Sequence, residues 1–195
     1  MQELFYEETV KVSNEKKHKT KYNTLRIISL CFYGLTLFWV LFATFCGSII
    51  EEYELWLNLL LLFLPAVVFL LVGLFFGYFK NKFYNEYDYS FISGSIRISK
   101  IIANRKRKLI YNFDAKNIEK IGYYDSETYN KYQKSPGVKC VYLTSNQTPA
   151  EGKDFFYIVA NVKGGKKLML LECSKNMIRA FIKFTGISVL ERGFK

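Results

Sequence analysis

The sequence predicts an α+β membrane protein: a two-helix transmembrane hairpin over residues 25–79, then seven strands and one C-terminal helix with its apolar face against a sheet. Three observations predict it. Two uncharged apolar runs, Ile27–Ile50 and Leu55–Phe79, stand back to back. From Tyr84 onward apolar and polar residues alternate, the period of a half-buried strand. A single amphipathic stretch, opened by Ser174 and stopped by Gly186, follows the last of these strands.

Each apolar run is long enough to cross a hydrocarbon core of roughly 30 Å at about 1.5 Å per helical residue. The first begins some 25 residues in and exceeds a signal-peptide core in length, so a retained hairpin is expected. Lys11, Lys16, Lys17, Lys19, Lys21 and Arg26 precede the first run, and Lys80 and Lys82 follow the second. Between the runs stands Glu51-Glu52-Tyr53-Glu54, without a basic residue. Basic residues beside membrane spans stay cytoplasmic, which predicts a cell-membrane protein with both termini inside and a tight external turn. Tyr53 and Trp56 suit the outer interface; Tyr22, Tyr78 and Tyr84 suit the inner one. The external turn is too short to serve as a receptor for an outside ligand. The expected organisation is a cytoplasmic N-terminal segment (1–24), the hairpin (25–79) and a cytoplasmic domain (80–195).

Within the spans, Gly73-Leu-Phe-Phe-Gly77 and Ala43-Thr-Phe-Cys-Gly47 place small residues four apart, a spacing that lets helix backbones approach closely. Ala43, Gly47, Gly73 and Gly77 are therefore helix-packing candidates, either within the hairpin or between copies. Asn58 lies within a turn of the outer end, and Pro65 is placed to kink the second helix. No charged side chain lies at mid-depth, which argues against a proton relay or transporter.

Charge separates the two parts. The chain carries a net charge of +11, and residues 80–195 alone hold 22 Lys and Arg against 10 Asp and Glu. Tyr87, Tyr89 and Phe91 share one strand face, and Ser93-Gly94 is a two-residue turn signal. Ile96 and Ile98 alternate with Arg97 and Ser99, and Asn104–Lys108 reads as the next turn. Leu109–Phe113 and Asn117–Tyr123 read as the third and fourth strands, and Tyr124–Gly137 as a long polar loop. Val138–Thr144, Phe155–Val162 and Lys167–Glu172 complete the seven, with a hairpin turn at Lys163-Gly164-Gly165-Lys166. Ser174 then caps a helix whose Met177, Ala180, Phe181 and Phe184 fall at i, i+3, i+4, i+7.

Several chemistries are excluded. Cys31, Cys46, Cys140 and Cys173 contain no C-x-x-C pair, and His18 is the lone histidine, so neither a zinc site nor a catalytic triad can be assembled. The thiols are expected to be reduced. No phosphate-binding loop or nucleophile elbow is present. The acidic residues are scattered. No cofactor and no catalytic residue is expected, and the lack of a recognition motif argues against nucleic acid. Asn146-Gln-Thr148 matches a glycosylation sequon, but a cytoplasmic domain would not use it.

Two candidate surfaces remain. Arg105, Lys106, Arg107 and Lys108, with Arg97 and Lys100 nearby, form a basic cluster suited to anionic lipid headgroups, which attract each nearby cation by about 1 kcal/mol. Tyr124, Tyr129 and Tyr132 in the long loop suit a protein partner, since tyrosine is common at contact surfaces. The alternative is a structural subunit whose helices assemble through Gly73 and Gly77, as a homo-oligomer or within a larger complex.

Seven strands and a C-terminal helix, with Tyr89-Ser-Phe-Ile-Ser-Gly-Ser-Ile-Arg-Ile in the first hairpin, Lys106-Arg-Lys-Leu-Ile after the second turn and Glu172-Cys-Ser-Lys-Asn-Met entering the helix, resemble a bacterial pleckstrin-homology-like (PH-like) domain over residues 84–186. The layout is also similar to small two-helix membrane proteins of Gram-positive bacteria. The resemblance implies a helix that plugs one open end of a bent sheet, and a non-enzymatic interaction module. Phosphoinositide sites of such domains typically use a lysine-bearing first hairpin loop. Here that loop is Ser93-Gly94, and Arg97 lacks its partners, so stereospecific phosphoinositide binding is not implied.

Overall fold

A computed structural model of the chain describes residues 4–46, 55–191 and 194. The chain divides into two compact units, residues 16–84 and a discontinuous one made of 1–15 with 85–195.

The first unit is a pair of helices, α1 (Glu15–Cys46) and α2 (Leu55–Phe79). Both are long and apolar enough to cross a bilayer, and only 11% of either apolar window is buried. What they bury is their shared seam. Ser29 Oγ donates to the Gly73 carbonyl at 2.9 Å, and a Cβ on Gly73 would lie 2.8 Å from the Tyr33 ring. A Cβ on Gly77 would meet Tyr33 Oη at 3.1 Å and Ser29 Oγ at 3.2 Å. A side chain at position 73 would run into the Tyr33 ring of α1, and one at position 77 would press on the ends of Tyr33 and Ser29. Ala43 and Ala66 are buried, and Phe32 stacks on Phe76 at 6.1 Å. Outward-facing Leu30, Leu37, Phe38, Leu41, Leu71 and Leu74 are exposed. At the base, His18 Nδ1 donates to the Phe83 carbonyl at 2.6 Å, Tyr22 lies against Tyr84, and Lys82 sits over Phe79. The acidic turn Glu51–Glu54, Gly47 and the side chain of Asn58 fall outside the described residues.

The second unit holds eight strands in two four-stranded sheets and two helices. β1 (Phe5–Val10) opens it, before the helical pair. After that pair come β2 (Asn85–Ile92), β3 (Ser95–Ile102), β4 (Lys106–Asp114) and β5 (Ile118–Tyr123). A short helix α3 (Glu127–Gln133) precedes β6 (Lys139–Tyr142), β7 (Asp154–Val162), β8 (Gly165–Cys173) and the closing helix α4 (Lys175–Thr185). One sheet runs β1-β2-β3-β4 and the other β5-β7-β8-β6, antiparallel except for the β6–β8 pair. Tyr89, Phe91, Ile96, Ile98 and Phe113 from the first sheet meet Phe156, Ile158, Met169 and Leu171 from the second in one core. Met177, Ile178 and Phe181 of α4 plug it.

The expected α+β class holds, with eight strands in place of seven. The additional strand comes from the N-terminal stretch expected to stand apart as residues 1–24. Val10 pairs with Tyr87 and Phe5 with Ile92. Two expected turn residues groups also move. Lys106–Lys108 belong to β4, and the turn is Ala103-Asn104-Arg105, with Ala103 and Asn104 both at positive φ. The loop Tyr124–Gly137 contains α3, capped by Ser126, whose side chain accepts from the Tyr129 amide.

β1 is tied into the unit by its polar side chains. Glu8 accepts from the Ser174 amide at 3.1 Å and from its hydroxyl at 3.0 Å, placing a carboxylate at the N-terminus of α4, where the helix dipole favours it. Lys153 Nζ completes that cluster, 3.0 Å from Glu8 and 2.9 Å from the Thr9 carbonyl. Just beyond β1, Asn146 Oδ1 accepts from the Ser13 amide at 2.7 Å, while its Nδ2 donates to the Lys11 carbonyl at 2.9 Å and to Glu172. Glu172 is fully buried and also accepts from Thr144 Oγ1 and the Ala150 amide. Asn146 is therefore a buried bridge, and the sequon match has no accessible amide.

Asn146→Ala strips Glu172 of one donor and frees two backbone groups of residues 11–13. Thermal unfolding of the full-length protein in detergent is expected to show a loss of about 2–3 kcal/mol. The exposed neighbour substitution Gln147→Ala should stay within about 0.5 kcal/mol of wild type.

Candidate functional site

The basic turn lies at one particular end of the first sheet. Ile102 pairs with Asn85, and Val10, at the end of β1, pairs with Tyr87. The turn Ala103–Arg105 is thus at the end of the sheet where β1 finishes and β2 starts, the two points at which the chain leaves for and returns from the helices. Neighbouring strands are about 4.8 Å apart, and the turn is one to two strand spacings from the start of β2 and two to three from the end of β1.

The register sorts the six expected headgroup cations by face. Lys100 lies opposite Lys108, Ile102 opposite Lys106 and Ile101 opposite Arg107. Lys100, Lys106 and Lys108 therefore share the face that carries Ile96, Ile98 and Tyr87 farther along the strands. Arg97 and Arg107 share the other face, and Arg105 sits in the turn. A slip of pairing between Ile98 and Ser99 accommodates the change of register.

Arg107 is committed elsewhere. Its guanidinium lies 2.5 Å from Asp88 and 3.6 Å from Glu7. The Asp88 side chain is only 1% exposed and takes a further bond from Thr9 Oγ1 at 3.2 Å, so Arg107 neutralises a buried carboxylate. It holds β4 to β2 and β1 and is not a free headgroup ligand. By contrast, among the described residues Lys100, Arg105, Lys106 and Lys108 have no carboxylate within 4.0 Å. Lys100 and Lys108 face each other across two strands, an unfavourable like-charge pair. Burial, and then the charge of Lys108, hold the Lys100 ammonium below its usual pKa, and it rests 6.0 Å from the centre of the Tyr87 ring. Close by in sequence, Glu86 is buried with Oε1 unpartnered, and burial raises its pKa.

The three expected partner-binding tyrosines differ in their surroundings. Tyr129 is 3% exposed and packs with Tyr157, Val159 and Leu168 in a second, smaller core on the outer side of the second sheet. Burial drives its hydroxyl pKa upward. Tyr132 is half-buried against the same cluster. Both are packing residues of α3. Their i, i+3 spacing behind Ser126 and Glu127 is the signal that could have identified the helix. Tyr124 is exposed, edge-on to Tyr129 at 4.9 Å, and Tyr142, absent from the expected set, is exposed on β6.

In the helical unit, Gly73 and Gly77 face Tyr33 and Ser29 of the same chain, and Ala43 is buried. The seam within the hairpin uses the small residues that assembly between copies would need. Gly47 lies outside the described residues. Among the described residues no group of His, Cys, Asp and Glu is placed to hold a metal ion.

A family model described as Bacterial PH-like domain (DUF6106) matches residues 2–191. Its span takes in β1, both helices and α4. No curated protein and no solved structure matches the chain.

Arg107→Ala should cost about 1–3 kcal/mol in denaturant unfolding, because it leaves Asp88 buried without its cation. Lys106→Ala, one residue away on the other face, should change stability by no more than about 0.5 kcal/mol.

Proposed function

The chain belongs to the bacterial PH-like domain family, and on that footing we propose that it is a non-catalytic docking module, anchored in the cell membrane by α1 and α2, whose basic β3–β4 turn engages anionic headgroups of the inner leaflet. The observation that carries this reading is the position of the turn. Four cations without acidic partners, Lys100, Arg105, Lys106 and Lys108, stand at the end of the sheet from which both connections to the helices leave.

The connectivity supports the orientation. Both ends of the helical pair join neighbouring strands of one sheet, so they share one side of any bilayer the helices cross. Lys16, Lys17, Lys19, Lys21, Arg26, Lys80 and Lys82 flank the apolar runs on that side, which makes it the cytoplasmic one. The exposed apolar surface of α1 and α2 supports lipid as their surroundings.

Each cation near an anionic surface contributes about 1 kcal/mol, so four are worth about 4 kcal/mol, a millimolar-range affinity for a free domain. Tethering makes that sufficient, because the headgroups are at high effective concentration. The strength is that of a domain that lies down on anionic membrane and lifts from neutral membrane. The seam-filling role of Gly73 and Gly77 weighs against the alternative of a subunit assembled through those glycines.

The test is lipid retention by the full-length protein purified in mild detergent from a mixed anionic and zwitterionic bilayer, read by mass spectrometry. Wild type should retain several-fold more anionic lipid than a K100S/R105S/K106S/K108S variant, and the excess should vanish as salt rises. Equal, salt-independent retention by both proteins would remove the headgroup role.

A further inference from the structure

The base of the helical pair carries an open cavity that neither the family match nor the basic turn accounts for. Its volume is about 330 Å³, its walls are mostly apolar, and it is lined by Thr20, Lys21, Thr24, Leu25 and Phe83. The first four fall at i, i+1, i+4 and i+5 and so share one side of α1. Phe83, just past α2, forms the opposing wall and is held in place. Its carbonyl is bonded to His18 Nδ1 at 2.6 Å, and the adjoining Tyr84 lies against Tyr22 at 6.4 Å. The Lys21 ammonium is 5.9 Å from the centre of the Phe83 ring, so cation and apolar wall belong to one site. Among the described residues no carboxylate lies within 4.0 Å of Lys21. The threonines are available too. Thr36 and Thr185 donate to the carbonyl four residues back, whereas the Thr20 and Thr24 hydroxyls have no partner among the described residues.

We propose that this cavity holds one anionic phospholipid of the inner leaflet, its phosphate on Lys21 and the two threonine hydroxyls and the glycerol end of an acyl chain against Leu25 and Phe83. The depth of the site fits that occupant. Thr24 and Lys21 stand three and six residues before Ile27, where the uncharged run of α1 opens. At about 1.5 Å per residue they lie about 4.5 and about 9 Å outside the hydrocarbon, across a headgroup layer about 5–7 Å deep on each side. The order of the side chains fits as well. Leu25 stands nearest the hydrocarbon, and the hydroxyls and the cation lie toward water, as a lipid presents first its chain and then its phosphate. A phosphate is held by a cation together with further hydrogen-bond donors, and Lys21, Thr20 and Thr24 supply both. The volume is at the low end for ligand sites, about 300–1,000 Å³, which suits the part of a lipid around its phosphate while the chains continue into the bilayer. A free phosphate would leave the apolar wall empty. A neutral apolar molecule would leave the cation and both hydroxyls without a partner. The inference rests on the reading of α1 and α2 as membrane spans and shares no residue with the β3–β4 turn.

The probe is phosphatidylglycerol carrying a photoreactive diazirine near the carbonyl of one acyl chain, placed at low abundance in phosphatidylcholine bilayers that hold the full-length protein. After illumination, mass spectrometry of the peptides should find the adducts concentrated on residues 20–25 and on Phe83. Phosphatidylcholine with the same diazirine should label that site several-fold less. Lys21→Gln should lower the labelling about fivefold, the worth of one charge beside an anionic headgroup. Leu25→Trp, which fills the cavity, should disperse the adducts over the two helices. Lys21 is exposed, so its variant keeps the proposal testable if Leu25→Trp fails to fold. K100S/R105S/K106S/K108S should label as wild type does, which separates this site from the basic turn. Adducts spread evenly along the outer faces of α1 and α2 would mean surrounding lipid only and overturn the proposal. Equal labelling by the two lipids, or wild-type labelling in Lys21→Gln, overturns it as well. Release of the chain from membranes by alkaline carbonate would instead remove the anchoring itself, and the proposal with it.

Discussion

A strand made before the helical hairpin completes the sheet made after it, and the rest of the structure depends on that pairing. β1 adds to β2 along its whole length, and its inward Glu8 is then satisfied by Lys153 and Ser174, more than 140 residues away. Glu8 neutralises the N-terminus of α4 and the Lys153 ammonium. The backbone of Lys11 and Ser13 is held by Asn146, which in turn supplies a donor to the buried Glu172. A carboxylate inside a protein is tolerated only where its acceptor capacity is met, and removing one partner leaves the rest uncompensated. The network therefore works as a whole, and it links both connections of the helical pair to one folded body.

That arrangement explains which features were legible beforehand. The apolar runs, the Ser93-Gly94 turn, the alternation of β2, β3, β7 and β8, and the Ser174 cap are local signals, and each element lies where its own residues place it. β1 is not of that kind. Its text, Phe5-Tyr-Glu-Glu-Thr-Val10, puts a glutamate on each face, and the inward one, Glu8, is satisfied only by Ser174 and Lys153. No periodicity can reveal a core-facing carboxylate whose partners lie far along the chain. α3 was missed for a different reason: at seven residues it is shorter than a pattern search trusts, although Tyr129 and Tyr132 carry its spacing.

The same contrast holds for the site. The cluster of cations from Arg105 to Lys108 was visible as composition, but composition cannot show that a strand separates alternate residues onto opposite faces. Arg107 serves the fold by meeting Asp88, and Lys100, brought in from the facing strand, takes its place beside Lys108. Tyr129 likewise is consumed by packing, and the glycines at 73 and 77 by the seam with Tyr33 and Ser29. The cations left without a carboxylate within 4.0 Å among the described residues are fewer than the linear text suggests, and they lie at the end of the sheet where β1 finishes and β2 starts.

The most direct test of this account is the folding of the contiguous fragment 80–195, which contains every strand except β1. The account predicts that the fragment alone lacks a cooperative thermal transition and dispersed amide resonances, and that adding a synthetic peptide of residues 1–15 restores both. A fragment that folds by itself, with the same melting temperature whether or not the peptide is present, would contradict it.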